Sequence, residues 1–174
     1  MCGDINIYEC CITRFTNFTW EENTRWRDMN NCLSGCIYNS TFTLPISIGD
    51  IPNVFIIEMN ISEKKIIGVG LVKNRELSIQ PRIYTENKHN FHSYKGKYRM
   101  DYEDFNEEEK GKLKHLERFL FYGYSHLIRG IGFSKLPTKL IHKPGKGKDN
   151  VEIKNIYTDM FKKAFKRKIL SETT

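Results

Sequence analysis

The chain has 174 residues, 39% of them hydrophobic and 13% aromatic, enough for one domain with a proper core and too few for two ordinary ones. Its formal charge is +7, yet the first 134 residues hold 17 basic and 17 acidic side chains; the last forty, with 11 Lys or Arg against 4 Asp or Glu, carry the whole excess. No run approaches the roughly 18 apolar residues of a membrane span, and an odd set of five cysteines without an N-terminal apolar segment argues against a secreted disulfide framework, so an intracellular, reducing compartment is expected.

Ile5 to Ile12 alternates weakly and predicts a first strand. Thr19 with Glu22 forms a capping-box pattern that opens a helix over Trp26, Met29 and Leu33, with Gly35 to close it. Ile37 to Leu44 follows as a strand or extended link. The stretch Gly49 to Val72 predicts a hairpin: a strand Val54 to Met59, a polar turn Asn60 to Lys65, and a strand Ile66 to Val72 in which Gly68 and Gly70 bend or admit another backbone. Leu77 to Thr85 and Phe91 to Met100 carry the alternation of two more strands. Asn106 with Glu109 caps a helix whose stripe is Leu113, Leu116, Phe119 and Leu120, ending at Gly123. Ser125 to Ser134 is apolar but broken by Gly130 and Gly132, as in a short bent strand or a functional loop. The run Lys143-Pro144-Gly145-Lys146-Gly147-Lys148 forbids regular structure, and a final helix carries Ile153, Ile156, Tyr157, Met160, Phe161, Ala164 and Phe165 on one side and lysines on the other.

These elements predict an α+β fold: a small closed or nearly closed β-barrel with flanking helices and a basic C-terminal helix. Residues 1–138 form the barrel domain with its helices, and residues 139–174 form the basic loop and amphipathic helix, packed on the same domain.

Lys143, Lys146, Lys148, Lys163, Lys166 and Arg167 are placed to neutralise phosphates, with Arg129 assisting from the glycine-bearing segment. The glycine–lysine run is not a nucleotide-binding P-loop, since the required glycine four residues before Gly-Lys is absent. Trp20, Trp26, Tyr94, Phe91 and Phe133 offer flat faces for stacking on a base; Trp26 falls in the buried stripe of its helix and Trp20 ahead of it. His126, His89 and His92, the last two near Lys95, Lys97 and Arg99, are further polar candidates. Cys10, Cys11, Cys32 and Cys36 would make a four-thiolate zinc site only if adjacent strand residues faced the same way, so buried free thiols are expected, with no cofactor. Asp50 and Glu58 are spaced loosely like the carboxylate pair of metal-dependent nucleases, but Glu58-Met59-Asn60 has Asn where those enzymes place Lys. Asn17-Phe18-Thr19, Asn39-Ser40-Thr41 and Asn60-Ile61-Ser62 match the glycosylation pattern by chance in an Asn-rich chain.

The order of strand, Trp-bearing helix, Ile48-Gly49-Asp50, strand, then Ile66-Ile67-Gly68-Val69-Gly70-Leu71-Val72 resembles the PUA-like superfamily, particularly its EVE and YTH-related branches, over roughly residues 5 to 100. That resemblance implies a β-barrel with flanking helices that binds RNA or a modified nucleobase in an aromatic pocket containing Trp20 or Trp26. Tyr94-Lys95-Gly96-Lys97-Tyr98-Arg99 and Leu120-Phe121-Tyr122-Gly123-Tyr124-Ser125-His126-Leu127 are similar in style to reading frames of large nucleocytoplasmic DNA viruses, which implies host cytoplasm or virion as the location. The function expected is nucleic-acid binding without catalysis, RNA or a modified nucleobase being favoured over DNA. A structural or protein-interaction component docking through Ile156, Met160 and Phe161, and a metal-dependent nuclease, are the alternatives.

Overall fold

Residues 7–123, 126–138 and 153–173 are described by a computed structural model. In chain order the elements are β1 (Tyr8–Phe15), α1 (Asn17–Met29), β2 (Cys36–Ser40), β3 (Asn53–Asn60), β4 (Lys65–Lys73), β5 (His92–Gly96), β6 (Tyr98–Asp101), α2 (Glu107–Phe121), β7 (Ser134–Lys135) and α3 (Ile153–Glu172). The fold is mixed α+β, as expected. The barrel, however, does not close. Among the described residues five strands form an open sheet in the order β6-β4-β3-β1-β7, and β2 pairs with β5 in a separate two-stranded sheet. Closure fails because β7 is two residues long and its ladder ends on β1, leaving no partner to meet β6 across the opening.

The centre of the sheet is a parallel pair, β1 on β3, and its near-continuous apolar run is buried on both faces. Alternation sorts the side chains. Cys10, Ile12, Phe55 and Ile57 face the layer of α2 and α3, whereas Cys11, Phe15, Val54 and Ile56 face α1 and the two-stranded sheet. The β3–β4 hairpin matches its sequence signature: Asn60 Oδ1 accepts the amides of Ser62 and Glu63 at 3.0 and 3.1 Å, and Lys64 takes a positive φ of 53°. Asn60 Nδ2 donates to Asn17 Oδ1 at 2.8 Å, which ties the turn to the start of α1.

Helix α1 starts three residues earlier than the Thr19–Glu22 pattern predicts. Thr16 is the cap and Thr19 its reciprocal partner, because β1 runs to Phe15 and Glu22 is drawn inward to accept the Thr85 amide at 2.9 Å. The buried face of α1 is polar: Asn23 donates to Ile37 O at 2.8 Å and to the Tyr84 hydroxyl at 3.2 Å, and Arg27 Nε donates to Asn23 Oδ1 at 3.0 Å. Met29 and Leu33, expected in the buried stripe, are 76% and 58% exposed. The helix stops at Met29 rather than running to Gly35 because Asn31 turns the chain with φ 52°.

Leu77 to Thr85 is not a strand. Pro81 removes a ladder donor, and side-chain amides substitute for the ladder: Asn90 Oδ1 accepts from Ile83 and Tyr84, Asn90 Nδ2 donates to Tyr84 O, and Asn39 Nδ2 donates to Pro81 O at 2.6 Å. Phe91 to Met100 forms two strands, β5 and β6, split at Lys97. Helix α2 carries the predicted Asn106–Glu109 capping box, with Glu109 N donating to Asn106 Oδ1 at 2.9 Å. Helix α3 packs over β1 and β3: Tyr157, Met160, Phe161, Ala164 and Phe165 are all buried, and the Phe161 and Phe165 rings lie 5.5 and 5.3 Å from that of Phe55. Among the described residues no helix is long and apolar enough to cross a membrane.

Candidate functional site

A cleft of about 200 Å³ opens where the end of β1, the first turn of α1, the end of β2 and the segment 130–132 converge. Thr13, Asn39, Ser40 and Thr41 supply neutral polar groups, Phe15 and Tyr84 supply aromatic surface, and Ile131, 65% exposed, stands at the rim. Among the described residues no Asp or Glu lines it. The Tyr84 hydroxyl stays protonated because burial pushes its pKa far up, and it accepts a hydrogen bond from Asn23 beneath α1. Thr13 makes no side-chain hydrogen bond among the described residues, and Ser40 Oγ accepts the Phe42 amide at 3.2 Å while keeping its own proton to donate.

One wall is the segment from Leu127 to Ser134, and Arg14 holds it. Its Nε donates to Leu127 O at 2.6 Å, Nη1 to Gly132 O at 3.2 Å and Nη2 to Ser134 Oγ at 3.0 Å. Two glycines make this close approach feasible. A Cβ on Gly130 would sit 2.9 Å from Arg14 Cζ, and one on Gly132, whose φ is +75°, would sit 2.7 Å from Ser40 Oγ. The glycine-broken pattern of Ser125 to Ser134 thus marks a bent wall beside the cleft, with regular pairing only at β7.

Of the residues singled out from the sequence, His89 lines the cleft, its Nδ1 3.4 Å from Thr41 Oγ1, whereas the tryptophans and the exposed cations of α3 lie elsewhere. Trp20 is held by the chain's own cations, with the guanidinium carbons of Arg99 and Arg27 at 4.8 and 5.0 Å from its ring and the Phe15 edge at 5.1 Å. Trp26 packs on the core with Lys95 Nζ 5.9 Å from its ring centre. Neither tryptophan lines the cleft; Phe15 and Tyr84 do. Arg129 is exposed on the wall segment. Lys163 and Lys166 are exposed on α3 with no ion pair within 4 Å among the described residues, whereas Arg167 pairs with both oxygens of Glu109 at 3.1 and 2.8 Å. Lys143, Lys146 and Lys148 lie outside the described residues. Phe15, Tyr84 and Arg14 were the residues sequence reasoning missed, since each reads there as an ordinary strand, core or surface residue.

The carboxylate pair separates as well. Asp50 is exposed, but Glu58 is 1% exposed and takes Arg99 Nη2 at 2.6 Å, Arg99 Nε at 2.9 Å and the Tyr38 hydroxyl at 2.6 Å. Burial opposes the charge on Arg99, but the Glu58 carboxylate outweighs it and holds the guanidinium above its ordinary pKa.

Cys10, Cys11, Cys32 and Cys36 are free and buried, with Cys10 and Cys11 on opposite faces of β1 as alternation requires. Burial pushes the Cys10 and Cys36 thiols from 9.0 up to about 12. In the folded protein they keep protons that the unfolded chain sheds, so their stabilisation is complete below pH 9 and is lost as pH rises toward 12, at about 1.4 kcal/mol per pH unit per thiol. Urea unfolding across this alkaline range should show the decline, and Cys36→Ala should remove its share of the slope; an unchanged slope would contradict the buried placement.

Comparison with known protein families, curated proteins and solved structures gives no match for this chain.

Proposed function

We propose that the chain is a nucleic-acid-binding module that seats one base in the cleft and takes backbone phosphates on exposed cations, with RNA or a modified nucleobase favoured over DNA. The observation that carries this reading is the chemistry of the cleft. Hydroxyl and amide groups, with Arg14 and His89, surround an aromatic backing, and no carboxylate lines the cleft among the described residues, which suits a heteroaromatic ring with donors and acceptors on its edge and disfavours a cationic ligand such as a methylated amine. Arg129, Lys163 and Lys166 are exposed for the phosphate contacts. The resemblance of roughly residues 5 to 100 to PUA-like domains supports the same reading, with an open sheet in place of their barrel.

The rivals rest on residues that the fold in large part buries. Of Ile156, Met160 and Phe161, offered as a docking face for a protein partner, Met160 and Phe161 are 6% and 0% exposed and pack into the core, while Ile156 stays 42% exposed. Glu58, half of the nuclease pair, is already neutralised by Arg99 inside the core.

The test is binding of the full chain to short single-stranded RNA, single-stranded DNA and duplex DNA across a salt series. Single-stranded RNA should bind most tightly, with affinity falling as salt rises. Lys163→Gln with Lys166→Gln should reduce the salt slope by about 1 to 2. Absence of binding to all three probes would overturn the reading.

A further inference from the structure

Arg14 carries a charge that no carboxylate among the described residues pairs with. The other well-placed guanidinium groups have partners that suit them: Arg99 has Glu58 and Asp101, Arg167 has Glu109, and Arg27 lies over the Trp20 ring. Arg14 is half-buried, yet its three hydrogen-bond acceptors are two backbone carbonyls and one serine hydroxyl, all neutral. Among the described residues no carboxylate pairs with it within 4 Å, and none lines the cleft it borders.

A guanidinium taken partly out of water without a counter-ion is costly, and the cost falls if an anion is supplied. Three N–H groups are used on the wall; a guanidinium has five, so two remain. Arg14 sits on β1 next to Thr13, whose hydroxyl has no partner among the described residues, so a neutral donor or acceptor and a cation without a paired carboxylate border the same small space. The low dielectric of such a recess strengthens the attraction for an anion relative to an exposed lysine.

We propose that the cleft takes a nucleotide rather than a bare nucleobase or nucleoside, with a phosphate group beside Arg14, so that one side chain both holds the wall and neutralises the ligand. This rests on the nucleic-acid reading above, and it goes further by assigning the charge of the group that enters the cleft and the residue that meets it. The exposed lysines of α3 would then add affinity along the strand, while Arg14 would fix the position of the seated nucleotide's phosphate.

The experiment titrates the full wild-type chain with the four common ribonucleosides and with their 5′- and 3′-monophosphates, following backbone amide resonances, alongside a short single-stranded RNA. At least one monophosphate should bind about 10-fold or more tightly than its nucleoside, with shifts at Thr13, Ser40 and Gly132. In Arg14→Gln that preference should collapse to near parity. In Arg14→Lys, which keeps the charge and loses the fork, the preference should survive even if overall affinity falls, a pattern that a purely structural Arg14 would not produce. Unchanged β1 and β3 resonances show that each variant is folded; should Arg14→Gln fail to fold, loss of the preference in Arg14→Lys overturns the proposal and its retention supports it. RNA binding with equal affinity for nucleoside and monophosphate in the wild type would overturn this inference and leave the nucleic-acid reading standing. No binding of RNA or of any monomer would overturn both.

Discussion

A chain ending at Thr138, which lacks α3, is expected not to fold. It should show no cooperative thermal transition and should expose apolar surface to a hydrophobic dye. Helix α3 buries Ile153, Tyr157, Met160, Phe161 and Phe165, and each large apolar side chain contributes about 1.5–3 kcal/mol when fully buried, so together they supply roughly 8–15 kcal/mol. That is comparable with the whole net stability of a typical domain, about 5–15 kcal/mol. The exposed end left behind would include Phe55, Cys10 and Phe105, all in the same cluster. Phe161→Ala tests the same packing without removing charge and should cost about 3–5 kcal/mol by chemical denaturation, since its ring lies 5.5, 6.1 and 6.3 Å from those of Phe55, Phe105 and Tyr157. A truncated chain that melts cooperatively near the full-length temperature would show that α3 is an appendage. The basic end is therefore probed by charge substitution at Lys163 and Lys166, because deleting it removes part of the core.

What could be read in advance followed from local rules. The β3–β4 hairpin, the capping box of α2 and the buried stripe of α3 depend on residues within a few positions of each other, and Asn60, Asn106, Glu109 and the Tyr157–Phe161 spacing display them directly. The failures share a different cause. Helix α1 buries Glu22, Asn23 and Arg27, whose partners Thr85, Tyr84 and Ile37 O come from distant segments, so a hydrophobic-stripe rule assigned its inner face to Trp26, Met29 and Leu33. Likewise Leu77 to Thr85 has strand-like alternation but is organised by the amides of Asn39 and Asn90, contacts of up to 42 residues in separation. The cleft was illegible for the same reason: its wall is fixed by Arg14 reaching across more than 110 residues to Leu127, Gly132 and Ser134. Only the glycines at 130 and 132 hinted at a close approach there.

Breaking the Glu58–Arg99 pair should destabilise the protein by about 3–5 kcal/mol in Arg99→Leu, which leaves the buried Glu58 carboxylate with only the Tyr38 hydroxyl, and by less in Glu58→Ala, where Arg99 keeps Asp101 as a partner. The geometry makes the dependence specific. Two guanidinium nitrogens of Arg99 reach both Glu58 oxygens, at 2.6, 2.9 and 3.1 Å, and Tyr38 donates to the same carboxylate. Gly68 leaves room for the pair; a Cβ there would lie 2.6 Å from Arg99 Nη2 and 2.7 Å from Glu58 Oε2. The effects should not add. With both charges gone, in Glu58→Leu with Arg99→Met, no ion remains uncompensated, and the double variant should be less destabilised than the sum of the singles by well over 1 kcal/mol. Arg99 also lies over Trp20, so Arg99→Leu should change tryptophan emission, and Thr13, which lines the cleft, is the register partner of Glu58 on β1. Additive single and double effects in a denaturant cycle, with Trp20 emission unchanged, would mean that this pair neither anchors the two-sided core nor braces the cleft.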